Sequence, residues 1–502
     1  MKEIYMRDKN YPKRLKRSES FIGIHFDFHA GEDCIEIGKN TTREMIEHII
    51  NQVKPDYIQC DCKGHRGLSS YPTKVGNPAP GFVGDPLRIW REVTAEHGVA
   101  LYMHYSGVWD TEALNKNPEW ARIDENGERD KNNTSVFGPY VDELLIPQLK
   151  ELCDEYGVDG VWIDGDCWAV CHDYGEKVIK AFQEETGIKE IPKTSDDPYF
   201  FEFTEFCREG FRRYLKHYVD EMHKHNKDFQ IASNWAYSTF MPEPVNVDVD
   251  FISGDYPMQN SINAARLEGR YMAQQGKPWD LMAWSFCSKQ QEACRSTKSV
   301  QQLKQEAAII LALGGGFQAY FKQKRDGSIN YWEMKLMGDV AKFCRERQKF
   351  CHKAKPVPQI ALLLLTSAYY RKMKRLFSPW NGELIPISGV LRGLLEGQNS
   401  VEVLSEHHIR ERMGDYSLIV IPEWEYIDED FRQLLLDYVS RGGSLLVIGP
   451  MACKLFKEEL GVEFIEDTNN DAKQWLEYNG WLAGLLTSAQ KVKLKVGTIP
   501  FG

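Results

Sequence analysis

Short apolar runs recur through the first 350 residues, and most are followed by a polar segment and a helical pattern. The runs are nearly continuous in apolar residues, which is typical of parallel strands covered on both faces. The eight runs are FIGIHFDFHA (21–30), DYIQCD (56–61), VALYMHY (99–105), VDGVWIDG (158–165), FQIASNW (229–235), VDFISGDY (249–256), WDLMAWSF (279–286) and GFQAYF (316–321).

Helical periodicity fills most of the intervals between these runs. TREMIEHIINQV (42–53) has a suitable first residue in Thr42, and DPLRIWREVTAEHG (85–98) begins at an Asp and ends at a Gly. VDELLIPQLKELCDEYG (141–157) contains Pro147, where we expect a kink or a later helix start. Strands that alternate with helices in this way predict parallel α/β architecture.

The pattern divides the chain into two α/β domains and a tail. Eight strand–helix repeats predict a (β/α)8 TIM barrel over residues 1–354. Residues 355–465 contain PQIALLLLT, SLIVIPEW and GGSLLVIGP alternating with helical segments, which predicts a smaller, doubly wound flavodoxin-like domain. Glu423 stands at the turn where an amidotransferase would carry a nucleophilic Cys or Ser, so we expect this domain to be non-catalytic. The tail, 466–502, ends in strand-like QKVKLKVGTIPFG and is expected to begin a further β domain.

Composition narrows the class of partner and compartment. A net charge of −11 and a pI near 5.7 argue against a nucleic-acid partner, whose phosphates require a basic face. We expect no membrane span, because no run approaches 18 apolar residues, and no secretory signal.

The twelve cysteines, several in apolar settings, are typical of a reducing, cytoplasmic location. The close pairs Cys60 with Cys62 and Cys167 with Cys171 lack the spacing of a zinc site, and we expect no cofactor.

Polar and aromatic residues concentrate at the C-terminal ends of the predicted strands, where a TIM barrel carries its active site. A pocket that combines Trp and Tyr with Asp, His and Asn suits a sugar ring, which has apolar C–H faces and a polar rim. We therefore predict a carbohydrate substrate. The candidate substrate-binding residues are His25, Asp27, His65, His104, Tyr105, Trp109, Asp166, Trp168, Asn234, Trp235, Tyr256 and Trp284.

Four segments resemble the α-L-fucosidases of glycoside hydrolase family 29. KGHRGLSSYPT (63–73) resembles their KHHDGF…YPS stretch, and LYMHYSGVWD (101–110) resembles their GLYYS…DW segment. VDGVWIDG (158–165) resembles their W-x-D nucleophile strand, and SVQQLKQEAAIILALGGGF (299–317) resembles the helix and strand that close their barrel. The segments occur in the same order and with similar spacing.

The chain departs from that family at two motif positions and in its second domain. Gly64 and Arg66 stand where the family has His and Asp. Residues 355–465 resemble the middle, oligomerising domain of the family 42 β-galactosidases. The combination looks most like the hydrolase group that includes the family 151 α-L-fucosidases. This resemblance implies a retaining, α-L-fucosidase-like exo-glycosidase that acts on a neutral sugar and forms a homo-oligomer, a trimer or a dimer.

The resemblance implies that Asp164 is the nucleophile. A retaining mechanism needs a second carboxyl about 5–5.5 Å away, and two candidates are equally placed. Asp255 ends the sixth predicted strand, and Glu243 lies in the Pro-bounded loop STFMPEPV. Asp280 resembles a family carboxylate in its PWD setting, but it begins its strand and is expected at the opposite end of the barrel. Further candidates are Asp166 and Glu333.

Two alternatives to a glycosidase remain open at the level of sequence. One is a metal-dependent hydrolase with ligands drawn from His25, Asp27, His29, His65, His104 and Asp164. The other is a non-catalytic carbohydrate-binding protein that retains a glycosidase fold, since function belongs to the site and not to the fold. A second carboxyl facing Asp164 would favour catalysis.

Overall fold

The computed structural model of this chain describes residues 11–256, 258–287, 296–467, 473–486 and 490–499. The chain forms two compact units. One contains residues up to Pro356 together with Met373–Asn381, and the other contains Val357–Lys372 and the residues from Gly382 onward. Parts of the predicted tail, 468–472, 487–489 and 500–502, lie outside the described residues.

The first unit is built on eight parallel strands, and the predicted TIM barrel is confirmed. The strands are β1 (Ile22–Asp27), β2 (Tyr57–Lys63), β3 (Ala100–Ser106), β4 (Gly160–Asp164), β5 (Gln230–Ser233), β6 (Ile252–Tyr256), β7 (Trp279–Trp284) and β8 (Gly316–Lys322). Their order is β6-β7-β8-β1-β2-β3-β4-β5. Hydrogen bonds from the Asp250 amide to the Ile231 carbonyl and from the Trp235 amide to the Ser253 carbonyl join β5 to β6.

Helices follow most of these strands, as the periodicity predicts. They are α1 (Arg43–Val53), α2 (Pro86–Glu96), α3 (Thr111–Lys116), α4 (Ile146–Glu151), α5 (Glu176–Thr186), α6 (Phe200–His225), α7 (Ser261–Met272), α8 (Val300–Ala312) and α9 (Tyr331–Cys351). The Thr42 hydroxyl caps α1 by accepting a hydrogen bond from the Met45 amide, and Asp85 caps α2 in the same way. Pro147 falls in the first turn of α4, and wider π-helical turns at Val141–Leu145 and Leu152–Tyr156 flank that helix.

The N-terminal end of the barrel contains a buried ion pair. The Arg17 guanidinium lies 2.6 Å from the Asp280 carboxylate and 3.7 Å from the centre of the Tyr57 ring. The same carboxylate accepts hydrogen bonds from Ser253 at 2.6 Å and from Gln318 at 3.0 Å. Asp280 is the second residue of β7, so this network closes the end of the barrel away from the strand C-termini.

The second unit contains a four-stranded parallel sheet, and the expected smaller α/β fold is confirmed. Its strands, in the order β10-β9-β11-β12, are β9 (Ile360–Leu363), β10 (Val401–Leu404), β11 (Leu418–Ile421) and β12 (Ser444–Val447). Its helices are α10 (Thr366–Lys372), α11 (Ile385–Glu396), α12 (Glu406–Ile409), α13 (Glu429–Ser440) and α14 (Pro450–Lys454). Two antiparallel pairs follow, Val462–Asp467 with Gln490–Leu494 and Lys473–Tyr478 with Trp481–Leu486.

The sequence pattern did not predict β10. This strand has four residues, and its central Glu402 makes the run look polar. In the fold Glu402 is buried and accepts a hydrogen bond from the Tyr416 hydroxyl at 2.8 Å. Among the described residues of both units, no helix is long and apolar enough to cross a membrane.

Candidate active site

Side chains from all eight strands converge at the C-terminal end of the barrel. Successive residues of a strand point to opposite faces, so every second residue is directed into the interior. The converging residues are His25 and Asp27 (β1), Asp61 (β2), His104 (β3), Asp164 (β4), Asn234 (just after β5), Asp255 (β6), Trp284 (β7) and Tyr320 (β8).

Asp164 lies at the centre of this group and accepts hydrogen bonds on both carboxylate oxygens. Oδ1 accepts one from the Trp168 indole and one from the Asn234 amide, each at 2.7 Å. Oδ2 lies 3.1 Å from His104 Nε2 and 3.5 Å from His65 Nε2. Burial alone would raise the pKa of Asp164. The His104 hydrogen bond, the charges of both imidazoles and the Asn234 hydrogen bond outweigh burial and hold that pKa well below its usual range.

Asp255 faces Asp164 across the side-chain amide of Asn234. The Asn234 nitrogen donates to Asp255 Oδ1 at 2.9 Å as well as to Asp164, and the Trp284 indole donates to Asp255 Oδ2 at 2.9 Å. Burial and the neighbouring Asp164 charge raise the pKa of Asp255 to about 7. The two carboxyls therefore differ in pKa: Asp164 is ionised at neutral pH, whereas Asp255 retains its proton to a much higher pH than an ordinary aspartate.

His104 links Asp164 to a second buried carboxylate. Its Nδ1 lies 2.8 Å from Asp61 Oδ1 while its Nε2 contacts Asp164. Burial lowers the pKa of His104, but the hydrogen bonds with Asp164 and Asp61 raise it well above its ordinary value. The resulting imidazolium compensates the negative charge of Asp164 from the side opposite Asn234.

Strand β1 contributes a second charged pair. The Asp27 carboxylate lies 2.8 Å from His29 Nε2 and accepts a hydrogen bond from the Tyr320 hydroxyl. Burial raises the pKa of Asp27, but the His29 charge outweighs burial and lowers it. The neighbouring His25 bonds to Gln59 at 3.1 Å, and burial lowers its pKa to about 3, so it is a neutral hydrogen-bonding group.

The close approach of His29 explains why position 64 is a glycine. His29 has a positive φ of 48°, which turns its side chain toward β2. A Cβ on Gly64 would lie 2.8 Å from His29 Cγ, a distance that real Cβ atoms do not show. A side chain from position 64 and the His29 side chain would therefore compete for the same space beside the pocket.

An aromatic wall lies beside Asp164. The His65 ring stacks on Trp109 with centroids 5.2 Å apart and meets the edge of Trp168 at 5.6 Å. The Ser106 hydroxyl fixes the His65 ring through a 2.7 Å hydrogen bond to Nδ1. Burial lowers the pKa of His65 to about 4. His65 and His29 line a cavity of about 490 Å³ that also contacts Glu32, Asp33, Arg66 and Arg325.

Tyr105, Tyr256 and Asp166 are placed differently from the expectation, and Trp235 is held in an aromatic stack. Tyr105 and Tyr256 directly follow His104 and Asp255 on their strands, so they point outward, where their hydroxyls bond to Gln148 at 3.0 Å and to Glu306 at 3.2 Å. The buried Trp235 stacks on Phe240 with centroids 4.5 Å apart. Asp166 lies behind Asp164 and accepts hydrogen bonds from Tyr218 and Ser233.

The remaining carboxylate candidates have other partners. Glu243 forms a two-pronged ion pair with Arg212 of α6, at 2.9 and 2.7 Å, so Asp255 and not Glu243 shares Asn234 with Asp164. Glu333, in the first turn of α9, accepts a hydrogen bond from the Thr297 hydroxyl.

The predicted substrate-binding residues do not include Asp61, His29, Ser106 or Tyr320, although Asp61 and His29 stand at the predicted C-terminal ends of their strands. Asp61 and Tyr320 could have been found by counting every second residue along β2 and β8. The positive φ of His29 has no comparable signal in the sequence.

One group of side chains has the composition of a metal site. Ligand atoms of Asp27, His29, Asp61 and His104 all lie within 4.8 Å of one another. Both imidazoles are paired with carboxylates, and those contacts raise the pKa of His29 and of His104 against the effect of burial. In the described structure His29 pairs with Asp27, and His104 bridges Asp61 and Asp164, so these side chains satisfy one another; binding of a metal ion would require both imidazoles to be neutral.

Comparison with known proteins supports both resemblances at the level of fold. No family model matches this chain, and no curated protein matches it. α-L-Fucosidase isoenzyme 2 from Paenibacillus thiaminolyticus has a similar structure, with a TM-score of 0.77, 18% identity, and coverage of 95% of this chain and 73% of that one. A β-galactosidase from Halorubrum lacusprofundi has a TM-score of 0.71 and 13% identity, covering 95% and 82%. A GH42 β-galactosidase from G. stearothermophilus has a TM-score of 0.70 and 13% identity, covering 99% and 82%.

Proposed function

We propose that this protein is a retaining glycoside hydrolase in which Asp164 is the nucleophile and Asp255 is the acid/base. One observation carries the proposal. The Asn234 amide nitrogen lies 2.7 Å from an oxygen of Asp164 and 2.9 Å from an oxygen of Asp255, so these oxygens cannot be farther apart than the sum, 5.6 Å. The bound applies to one oxygen of each carboxyl, and so close an approach supports the spacing of retaining enzymes, whose carboxyls are about 5–5.5 Å apart, over the spacing of about 6.5–9.5 Å in inverting enzymes.

The raised pKa of Asp255 and the lowered pKa of Asp164 favour the protonation states that the first step requires. Asp255 donates its proton to the glycosidic oxygen while Asp164 attacks the anomeric carbon, which breaks the glycosidic bond and forms a glycosyl ester on Asp164. Asp255, now a carboxylate, then takes a proton from water as the water oxygen attacks the same carbon. The sugar leaves with its original anomeric configuration, and Asp164 returns to its ionised form.

The surrounding residues support these roles. The hydrogen bonds from Asn234, Trp168 and His104 fix the Asp164 carboxylate, and orientation of a reacting group is a large part of catalysis. The presence of a second carboxyl opposite Asp164 favours an enzyme over a non-catalytic carbohydrate-binding protein.

The substrate we propose is a terminal neutral sugar with an α-L-fucose-like configuration. The support is the aromatic wall of Trp109 and Trp168 beside neutral hydrogen-bonding groups such as His25 and His65, together with the fold shared with an α-L-fucosidase. A screen of aryl fucosides, galactosides and arabinosides, followed by proton NMR of the first-formed product, tests the reaction. We expect retention of configuration; inversion, or no turnover of any glycoside, would refute it.

A metal-dependent hydrolase is the second candidate, favoured by the cluster of Asp27, His29, Asp61 and His104. Metal analysis and an assay after chelation separate the two. The glycosidase proposal expects full activity in chelator, whereas loss of activity that is restored by a divalent cation would favour the metal enzyme.

The second unit has exposed apolar side chains that an assembly could bury, and the resemblance implies an oligomer. Ile385, at the start of α11, is 72% exposed, and Val439 and Leu446 are 41% and 42% exposed. We therefore propose a closed homo-oligomer, the usual form of soluble assemblies. Light scattering should give a mass of two or three chains, and a mass near 58 kDa at micromolar concentration would refute it.

A further inference from the structure

A second cavity lies at the C-terminal ends of β7 and β8. It has a volume of about 310 Å³. Its lining includes Phe286, Thr297, Lys322, Asn330, Trp332 and Glu333. Trp332 lies in the first turn of α9 and is 58% exposed, so much of its ring is accessible to a ligand.

A short series of aromatic contacts connects this cavity to Asp255. The Trp284 indole donates a hydrogen bond to Asp255 Oδ2 at 2.9 Å. The Trp284 ring contacts Phe286 with centroids 5.3 Å apart, and Phe286 lines the cavity. Lys322 Nζ lies 5.3 Å from the centre of the Phe286 ring, so a cation is present at the same wall.

Each cavity is connected through side-chain contacts to a different member of the carboxyl pair. The 490 Å³ cavity contains His65, which contacts Asp164, whereas the 310 Å³ cavity contains Phe286, which packs on the tryptophan that holds Asp255. In a retaining mechanism the group that leaves is the one protonated by the acid/base. The leaving group therefore belongs on the Asp255 side.

We infer that the 310 Å³ cavity is a leaving-group subsite that binds a second sugar ring, with Trp332 as its stacking surface. The inference rests on the proposed glycosidase function and on Asp255 as the acid/base. A Trp face packs against the apolar C–H face of a sugar, while Lys322, Asn330 and the hydroxyl of Thr297 supply polar groups for its rim. The preferred substrate is therefore an oligosaccharide and not a simple alkyl glycoside.

The substitution Trp332→Ala tests this subsite by comparing two substrates of the same glycone. One is a disaccharide, which fills both cavities, and the other is a glycosyl fluoride, whose leaving group has no ring. Loss of one stacked ring should lower kcat/KM for the disaccharide about tenfold or more and leave kcat/KM for the fluoride within about twofold. Trp332→Phe, which keeps an aromatic face, should recover much of the disaccharide rate.

The same helix provides a matched control. Phe350, near the C-terminal end of α9, is 73% exposed, and Phe350→Ala should leave both rates unchanged. Equal loss on both substrates in Trp332→Ala, or no loss on either, would overturn the subsite. A wild-type enzyme that cleaves neither substrate would instead count against the proposed function, so the two failures are distinguishable.

Discussion

The two ends of the barrel both bury aspartates but neutralise them differently. At the N-terminal end, Asp280 is paired with Arg17 and accepts two further hydrogen bonds. At the C-terminal end, His104 compensates the charge of Asp164, and Asp255 lies on the other side of the neutral Asn234 amide. An ion pair satisfies a buried charge, whereas two adjacent carboxyls cannot both ionise easily, so one retains its proton to higher pH. In the proposed mechanism the second arrangement supplies an acid and a nucleophile.

Removal of Asp164 should have the largest effect on turnover. Asp164→Gly deletes the attacking oxygen, and we expect kcat to fall by about 10⁴-fold, the scale seen when a member of a reacting unit is lost. Added azide should enter the vacated space and partly restore activity, releasing a glycosyl azide. Steady-state kinetics with product analysis measures both effects. Near-normal turnover in a folded variant would show that Asp164 is not the nucleophile.

Replacement of Asp255 should have an effect that depends on the leaving group. Asp255→Asn cannot protonate the glycosidic oxygen, so we expect a loss of about 10²- to 10⁴-fold on a sugar leaving group. An acidic phenol leaves without protonation, so the first step on its glycoside should be far less affected. Single-turnover rates on the two substrates make the comparison. Equal losses on both would contradict the acid role, and Glu243→Gln serves as the control.

The pH profile should have an alkaline limb set by Asp255. Protonated Asp255 is the active form, and burial beside Asp164 raises its pKa to about 7. As pH rises through this value the proton is lost, and kcat/KM should fall about tenfold for each further pH unit. Asp166 provides the control, because burial raises its pKa to about 7 as well. Asp166→Asn should keep the limb and Asp255→Asn should remove it; the reverse result would reassign the acid.

The smallest effect on turnover is expected at the other end of the barrel. Asp280→Ala leaves Arg17 buried without its carboxylate, and removal of one partner of a buried ion pair costs about 3–5 kcal/mol of unfolding free energy. Thermal and denaturant unfolding should show this loss, while kcat below the melting transition stays unchanged. The double variant Arg17→Met with Asp280→Leu should recover stability. A large fall in kcat of the folded Asp280→Ala variant would contradict the assignment of a structural role to the N-terminal end and a catalytic role to the C-terminal end.

The sequence predicted the barrel and much of the candidate site for one physical reason. Side chains alternate between the two faces of a strand, and this alternation directs Asp164, Asn234 and Asp255 to the barrel interior independently of the loop conformations. The same rule, applied one residue further, excludes Tyr105 and Tyr256 from that interior.

The placements that could not be predicted depend on tertiary contacts. Glu243 is on a loop, and only the folded chain shows that it meets Arg212. Likewise, the close approach of His29 to Gly64 depends on a backbone angle that no pattern in the sequence marks.

The central claim is that a sugar becomes covalently attached to Asp164. A 2-deoxy-2-fluoro glycosyl fluoride of the best glycone should inactivate the enzyme, because its ester forms faster than it hydrolyses. Mass spectrometry of the digested protein should then locate one sugar on the peptide that contains VWIDG, at Asp164. Attachment of the sugar to Asp255, Glu243 or any other carboxylate would contradict the account.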